Sequence, residues 1–402
     1  MALNSDTHLF KGSASRLIIN VAIATLCRLV LNTARRFVYP FAPLLSRGLG
    51  VPLTAITSLI AINWATTIIA MFFGPITDRI GYRFMMILGV TLLALGMFTA
   101  YFLPVYGFLL VGLFLAGLGK SVFDPAVQSY ISERVPYRRR GMAIGFLEYS
   151  WAGSTLLGIP LIAILIDRFG WRSPFLLMGL MAIIGIAALS FFLSDLNNVK
   201  ARQSKKIDFK TAWRQIYEKK TARGAIAFIF LLSVANDNLF VVYGAWLENT
   251  FGLSIVALGI GTATIGAAEL IGESMTASLA DRFGLKRSVM TGLSCCIISY
   301  IVLPLLGNTI VLALSGLFLI FLTFEFTVVT SVPLVTELLP ESRATMMACY
   351  MAAAGFGRVV GALIGGPVWL MGGMIATGFV SATISALALL ALIWGLHSWI
   401  EE

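Results

Sequence analysis

Twelve mostly apolar stretches, each about 20 residues or longer, follow one another along this chain of 402 residues and restrict its fold more than any motif does. They run roughly over 16–46, 54–77, 84–104, 107–131, 141–166, 173–194, 223–247, 254–280, 286–307, 309–338, 342–371 and 374–398. Such lengths suit helices crossing a hydrocarbon core about 30 Å thick, whereas barrel strands are about 10 residues long and alternate polar with apolar. Only 12% of the residues are charged, against about 25% in soluble domains, and 58% are hydrophobic. A soluble enzyme, a disordered chain and a disulfide scaffold are excluded, and an all-α membrane protein with twelve transmembrane helices is expected. Cys27, Cys295, Cys296 and Cys349 all fall inside apolar stretches and read as small core hydrophobes. The first fifteen residues are polar and the first apolar stretch is too long for a signal-peptide core, so no cleavable leader is expected.

The net charge of +10 does not point to nucleic acid, because most basic residues lie in loops between the spans. With the N-terminus in the cytoplasm, cytoplasmic loops hold twenty-one Lys and Arg and the other side holds Arg47, Arg168 and Arg172. Both termini are therefore expected in the cytoplasm, with the chain in the inner membrane. One long polar connection, 195–222, separates six spans (1–194) from six more (223–402). Its Phe209, Trp213, Ile216 and Tyr217 recur at helical spacing among Lys and Arg. That fits either a basic amphipathic helix on an anionic leaflet or a solvated linker.

The loop after span two reads Gly74-Pro-Ile-Thr-Asp78-Arg79-Ile-Gly81-Tyr-Arg83, and the loop after span eight contains Asp281-Arg282-Phe-Gly284-Leu-Lys286-Arg287. The shared Asp-Arg-x-Gly pattern recurs after 203 residues, half the chain. Two pseudo-symmetric six-helix bundles, with a site between them, follow from such a repeat. This arrangement resembles the major facilitator superfamily over essentially the whole chain. Gly74, Asp78, Arg79, Gly81 and Arg83 match its loop motif, with Tyr82 at the first of two basic positions. The resemblance implies a cytoplasmic gate in which Asp78 and Arg79 belong to a charge network that steadies the outward-facing state. Span five, with Gly153, Gly158 and Pro160 and then Gly170-Trp171-Arg172-x-x-Phe175, is similar to the drug and sugar efflux branch of twelve-span proton antiporters. Leu161-Ile162 replace the usual glycine pair of that motif, and Leu113 and Ala116 stand where antiporters carry Arg and Gln in span four.

Eleven ionisable residues lie well inside the spans: Arg28, Arg35, Arg36, Lys120, Asp124, Glu148, Asp237, Glu269, Glu273, Glu325 and Arg358. Facing lipid, each would cost roughly 2.5–3.5 kcal/mol at a helix centre, which together is on the order of 30 kcal/mol. They are expected to face a water-filled cavity or one another. Arg28, Asn32 and Arg35 share a face of span one, and Lys120, Asp124 and Gln128 share a face of span four. Arg35 and Arg36 either face the cavity or, if span one leaves the hydrocarbon early, reach the surface. In the second half Asn236, Asp237, Asn238, Glu269, Glu325 and Arg358 fall near mid-membrane. Desolvated carboxyls can exchange protons near neutral pH, so Asp237, Glu269, Glu325, Asp124 and Glu148 are the proton-coupling candidates. Asp124 and Glu148 are at a depth where they could share one proton as a carboxylate pair.

Arg28, Asn32, Arg35, Lys120, Gln128, Asn236, Asn238, Tyr243, Trp246 and Arg358 are the candidates for lining a solute cavity, with Tyr39, Trp64, Tyr130 and Trp151 as further aromatics. Gly117-Leu-Gly119-Lys120-Ser121 imitates the end of a phosphate loop, but Phe114 occupies the first glycine's place inside an apolar span. No metal spacing, cofactor motif or nucleophile–base set is visible, so no cofactor and no enzymatic activity are expected. The expected function is a monomeric secondary transporter working by alternating access, moving a small organic solute by proton-coupled efflux. An organic-anion or lysolipid carrier using the Arg cluster, and a non-transporting sensor, are the alternatives.

Overall fold

The computed structural model describes residues 6–135, 137–193, 217–339 and 343–397; the side chains of 6–16 and of some further positions, including Gly74, Asp78 and Asp281, lie outside the description. All regular structure among these residues is helical. Span one is α1 (Asp6–Arg36), continued beyond a turn by α2 (Ala42–Leu49). Span two is α3 (Leu53–Ala65) and α4 (Phe73–Ile80), and spans three and four are α5 (Tyr82–Phe102) and α6 (Tyr106–Arg134). Span five is α7 (Tyr137–Gly153) and α8 (Ile159–Phe169), and span six is α9 (Ser173–Phe192). Span seven is α10 (Lys220–Phe240) and α11 (Tyr243–Phe251), followed by α12 (Ile255–Phe283), α13 (Leu285–Val302) and α14 (Ile310–Leu338) as spans eight to ten. α15 (Arg343–Leu396) completes the chain.

Ten of these helical stretches are long and apolar enough to cross a membrane. The difference from twelve has two physical causes. Span two is interrupted by turns and a short 3-10 segment at Ala70–Phe72, so neither half qualifies by length. The 54 residues of α15, straight, would reach about 80 Å at 1.5 Å per residue, far beyond a bilayer core. They turn back at Gly372–Gly373, where Gly373 adopts φ 59°, a conformation open to glycine. Before the turn Gly361 packs on Val234 and Asp237 and Gly365 on Asn238; after it Asn238 bonds to Thr377 and Gly395 meets Gly224. The chain therefore runs along span seven and returns antiparallel to it, as spans eleven and twelve. Gly357, Gly361 and Gly365 supply the close approach to span seven that their small-residue spacing implies.

The two Asp-Arg-x-Gly loops share a backbone reason for their glycine. Gly81 has φ 102° and Gly284 φ 80°, both in the positive-φ region that side chains disfavour, and each ends one span and opens the next. Span one packs on spans four, five and six, while span seven packs on ten, eleven and twelve. The halves meet where span two touches span eleven and span five touches span eight. Most of the predicted linker, including Phe209, Trp213 and Ile216, lies outside the described residues; Tyr217 is exposed.

The two faces of the molecule differ in closure. On the face opposite the Asp-Arg loops, Gly244 abuts the backbone of Pro40, Gly259 abuts Ala163, and Gly366 sits against Thr54 and Thr57. Arg47 and Glu248 pair across the same seam at 2.7 Å. Toward the Asp-Arg face, Glu148 is part-exposed and Gln128 is exposed. This state is therefore shut on the face away from the repeated loops.

Candidate functional site

Most of the charges inside the spans are gathered into ion pairs that link helices, and one of these pairs, Arg36–Glu269, links the lobes. Arg28, Asn32 and Arg36 recur every four residues on α1 and so form one stripe. Arg36 continues that stripe, and Arg35 points elsewhere. Arg28 donates through Nε to Asp124 Oδ1 at 3.2 Å and through Nη1 to Glu148 Oε1 and the Leu147 carbonyl at 3.0 Å. Lys120 binds the other oxygen of Asp124 at 2.7 Å, one helical turn away. Asp124 and Glu148 do not form a proton-sharing carboxylate pair, because the Arg28 guanidinium stands between them. Asn32 donates to Ser150 of span five at 3.1 Å.

Arg36 crosses the lobe interface. Its Nη2 donates to Glu269 of span eight at 2.5 Å, and its guanidinium carbon lies 4.3 Å from the centre of the Trp151 ring. The side chain is 1% exposed, yet Nε and Nη1 have no hydrogen-bond partner among the described residues. Thr155 donates to the second Glu269 oxygen at 3.4 Å. That threonine lies on a π-helical segment, Ser154–Gly158, just before Pro160. Pro160 has no N–H to give to a preceding carbonyl, and the wider turn accommodates the loss. The segment lies against Gly266 of span eight.

Asp237 is fully buried, and both lobes hold it. Tyr39 of span one donates to Oδ1 at 2.7 Å and Arg358 of span eleven donates to Oδ2 at 3.0 Å. Trp64 Nε1 donates to the same Tyr39 hydroxyl at 2.6 Å. Arg35 and Arg358 each place a guanidinium carbon 4.4 Å from the centre of the Trp64 ring. Arg35 has no carboxylate partner among the described residues; its Nε donates to Asn63 Oδ1 at 2.8 Å, with Thr67 and the Gly117 carbonyl at 3.5 Å. Arg35 and Arg36 are both buried, which excludes the surface position open to them in the sequence.

Glu325 is buried in mid-span ten, with its Cβ packed against Gly272 of span eight between Glu269 and Glu273. It has neither a hydrogen bond nor a cation partner among the described residues. Its charge faces Glu269 and Glu273 of span eight, Arg358 of span eleven and Arg36 of span one. Several lining candidates serve other ends. Asn238 bonds to Thr377 and Ser381 of span twelve, and Tyr243 pairs with Thr262. Trp246 is buried beside Phe251, Asn236 is buried, and Tyr130 accepts from Asn20 at 3.1 Å. Asn63, which tethers Arg35, was not singled out; a lone amide in an apolar span was its signal.

At the Asp-Arg loops, Arg79 and Arg282 are exposed and Arg83 donates to the Ser190 carbonyl at 2.5 Å. Cavities of 790, 460 and 390 Å³ lie beside Arg172, Ser315 and Arg287, and no member of the ion network lines them. Among the described residues no cluster of His, Cys, Asp and Glu is placed to hold a metal. Of the ion pairs inside the spans among the described residues, Arg36–Glu269 joins the two lobes, while Arg28 with Asp124 and Glu148, Lys120–Asp124 and Arg358–Asp237 each lie within one lobe.

Comparison with known proteins accords with this architecture. The sequence profile of the Major Facilitator Superfamily matches residues 24–344, and again 225–400. The uncharacterized MFS-type transporter YceJ of Bacillus subtilis (strain 168) is 22% identical over 342 residues, covering 84% of this chain and 86% of that one. A multi-drug resistance efflux pump PmrA homolog of Lactococcus lactis subsp. lactis (strain IL1403) is 23% identical over 340 residues, covering 82% and 83%. The crystal structure of a D-xylose-proton symporter is similar in fold, with TM-score 0.74 at 17% identity over 94% of this chain and 97% of that one. The chain belongs to the major facilitator superfamily: it is a multi-pass membrane protein and a secondary transporter, and not an enzyme.

Proposed function

We propose that this transporter exports a small organic solute from the cytoplasm in exchange for protons. The observation that supports coupling most directly is Glu325, the buried carboxyl that no cation or hydrogen bond engages among the described residues. A buried carboxylate without a partner is costly, and binding a proton removes that cost without breaking an ion pair. Asp124, Glu148, Asp237 and Glu269 are each held by a cation, so moving a proton onto any of them must compete with that cation. Two contacts that join the lobes, Arg36–Glu269 and Tyr39–Asp237, then act as latches that break and re-form as the lobes rock, and Glu325 is the exchanging site.

Export rests on the efflux pump relative and on the span-five residues around Pro160. The excess of basic residues puts the Asp-Arg loops and both termini on the cytoplasmic side of the inner membrane. The described state is then closed toward the outside. Asp78, Arg79, Gly81, Arg83, Asp281 and Arg282 form the gate that closes the cytoplasmic side in the opposite state. The unit of function is a monomer of two lobes.

A second reading, an organic-anion or lysolipid carrier, is favoured by Arg35, a buried cation bonded only to neutral groups. Purified protein in liposomes with a trapped pH-sensitive dye separates the two. Sugars, cationic drugs, organic anions and lysolipids are added in turn, and the proton movement each one triggers is recorded. Glu325→Gln is expected to abolish that movement while downhill solute exchange persists. Undiminished proton movement in Glu325→Gln would overturn the assignment.

A further inference from the structure

Two sets of hydrogen-bonding groups are left unfilled among the described residues, one on span one and one on span ten. On span one, Arg36 is 1% exposed and leaves Nε and Nη1 without acceptors among the described residues. On span ten, the Glu325 carboxyl lacks any donor among the described residues. A buried donor left unmatched costs about 1–3 kcal/mol, so a native protein rarely leaves several together without something to fill them.

The geometry relates the two groups. Glu269 holds Arg36 Nη2 from span eight, and Gly272, one turn further along, receives the Cβ of Glu325. Phe240 bridges the same space from span seven: its ring centre is 5.7 Å from the Arg36 guanidinium carbon and 4.8 Å from that of Phe321, which lies one turn before Glu325. Trp151 covers the other approach to the guanidinium at 4.3 Å. Trp151 and Phe240 thus flank the Arg36 guanidinium, and the charged groups acting on Glu325 are Glu269, Glu273, Arg358 and Arg36.

We propose that the solute is amphoteric: an acceptor oxygen, best a carboxylate, takes the open donors of Arg36, an ammonium or hydroxyl donates to Glu325, and a flat apolar body lies against Trp151 and Phe240. The inference rests on the carrier reading above and deepens it by naming the solute class. An ammonium held by Glu325 is paired with the carboxylate form, so a proton arriving there removes the charge that holds it and favours its release. That competition is what exchange transport requires. Arg35 lies outside this site, tied to Asn63 and Gly117.

The test is binding to purified full-length protein in detergent, which needs neither a gradient nor coupling. The ortho, meta and para aminomethylbenzoates carry both groups at different spacings; benzoate and benzylammonium each carry one. At least one aminomethylbenzoate is expected to raise the unfolding temperature and to bind at least tenfold more tightly than either single-charge probe. Arg36→Lys retains a cation for Glu269 but lacks the guanidinium's open donors, and Glu325→Gln is nearly isosteric; each is expected to remove that tenfold preference. Arg47→Ala, outside the site, is expected to retain it. Equal response to all probes, no response to any, preference for benzoate or benzylammonium, or an unchanged preference in both site variants would overturn the proposal. Loss of proton coupling in Glu325→Gln is read separately in liposomes, so a wrong solute class and a wrong coupling site give different results.

Discussion

Tyr39 and Asp237 join the two lobes through a hydrogen bond of 2.7 Å from the phenol to the carboxylate. The phenol also accepts from Trp64, so its own proton is directed at Asp237. Hydrogen bonds to charged groups contribute about 1.5–3 kcal/mol. Tyr39→Phe keeps the ring stacked on Phe240 at 4.2 Å and removes both hydrogen bonds of the phenol, the one to Asp237 and the one from Trp64. It is expected to lower the unfolding temperature and to weaken closure between spans one and seven. Calorimetry and spin-label distances between Leu49 and Asn249 check it; an unchanged distance distribution counts against the latch role.

Arg358 and Asp237 should behave as a unit. Removing one partner of a buried pair leaves a charge without compensation, at about 3–5 kcal/mol. Arg358→Gln is therefore expected to destabilise severely, and Arg358→Gln with Asp237→Asn to be more stable than Arg358→Gln alone. A double-mutant cycle by thermal unfolding measures the coupling. Additive effects of the two substitutions would show that the 3.0 Å contact carries no interaction energy of its own.

The spans, the turn after residue 371 and the repeated loops were legible because each leaves a local signature: apolar length, a glycine pair, an Asp-Arg-x-Gly spacing. The partners of the buried charges were not. Arg28, Asn32 and Arg36 lie on one stripe by helical arithmetic, and so do Arg28, Asn32 and Arg35 within the tolerance of that arithmetic; only packing against spans two, four, five and eight separates Arg35 from Arg36. Asp124 and Glu148 are close in depth, but depth does not reveal that Arg28 stands between them. Asn238 reads like its neighbours Asn236 and Asp237, yet a rotation of about 100° per residue sends it to span twelve. Periodicity fixes which residues share a face; it does not fix which helix that face meets.

Asp124 and Glu148 share Arg28 but should differ in consequence. Asp124 also holds Lys120 and its side chain is 24% exposed, against 41% for Glu148. Asp124→Asn leaves two mostly buried cations without their common partner and is expected to cost about 3–5 kcal/mol. Glu148→Gln touches a part-exposed pair and is expected to cost about 1 kcal/mol or less. Thermal unfolding of the two variants side by side checks the order, and a larger loss in Glu148→Gln would reverse the assignment of Asp124 as the main counter-ion.

Gly244 offers a way to move the conformational balance without touching a charge. Span seven breaks after Phe240, and the new helix begins with its Gly244 backbone pressed on that of Pro40 in the break of span one. A methyl group there would collide with backbone, which cannot rotate aside as a side chain can. The collision exists only while this face is shut; separating the lobes relieves it. Gly244→Ala is therefore expected to raise the energy of the described state relative to the opposite one, shifting the population by about tenfold for each 1.4 kcal/mol of strain. The exposed Arg47–Glu248 pair above it contributes about 1 kcal/mol or less and cannot hold the seam alone. Spin labels at Leu49 and Asn249 should report longer distances in Gly244→Ala and nearly unchanged distances in Arg47→Ala. Unchanged distances in Gly244→Ala would mean that the Pro40 contact is not what limits opening.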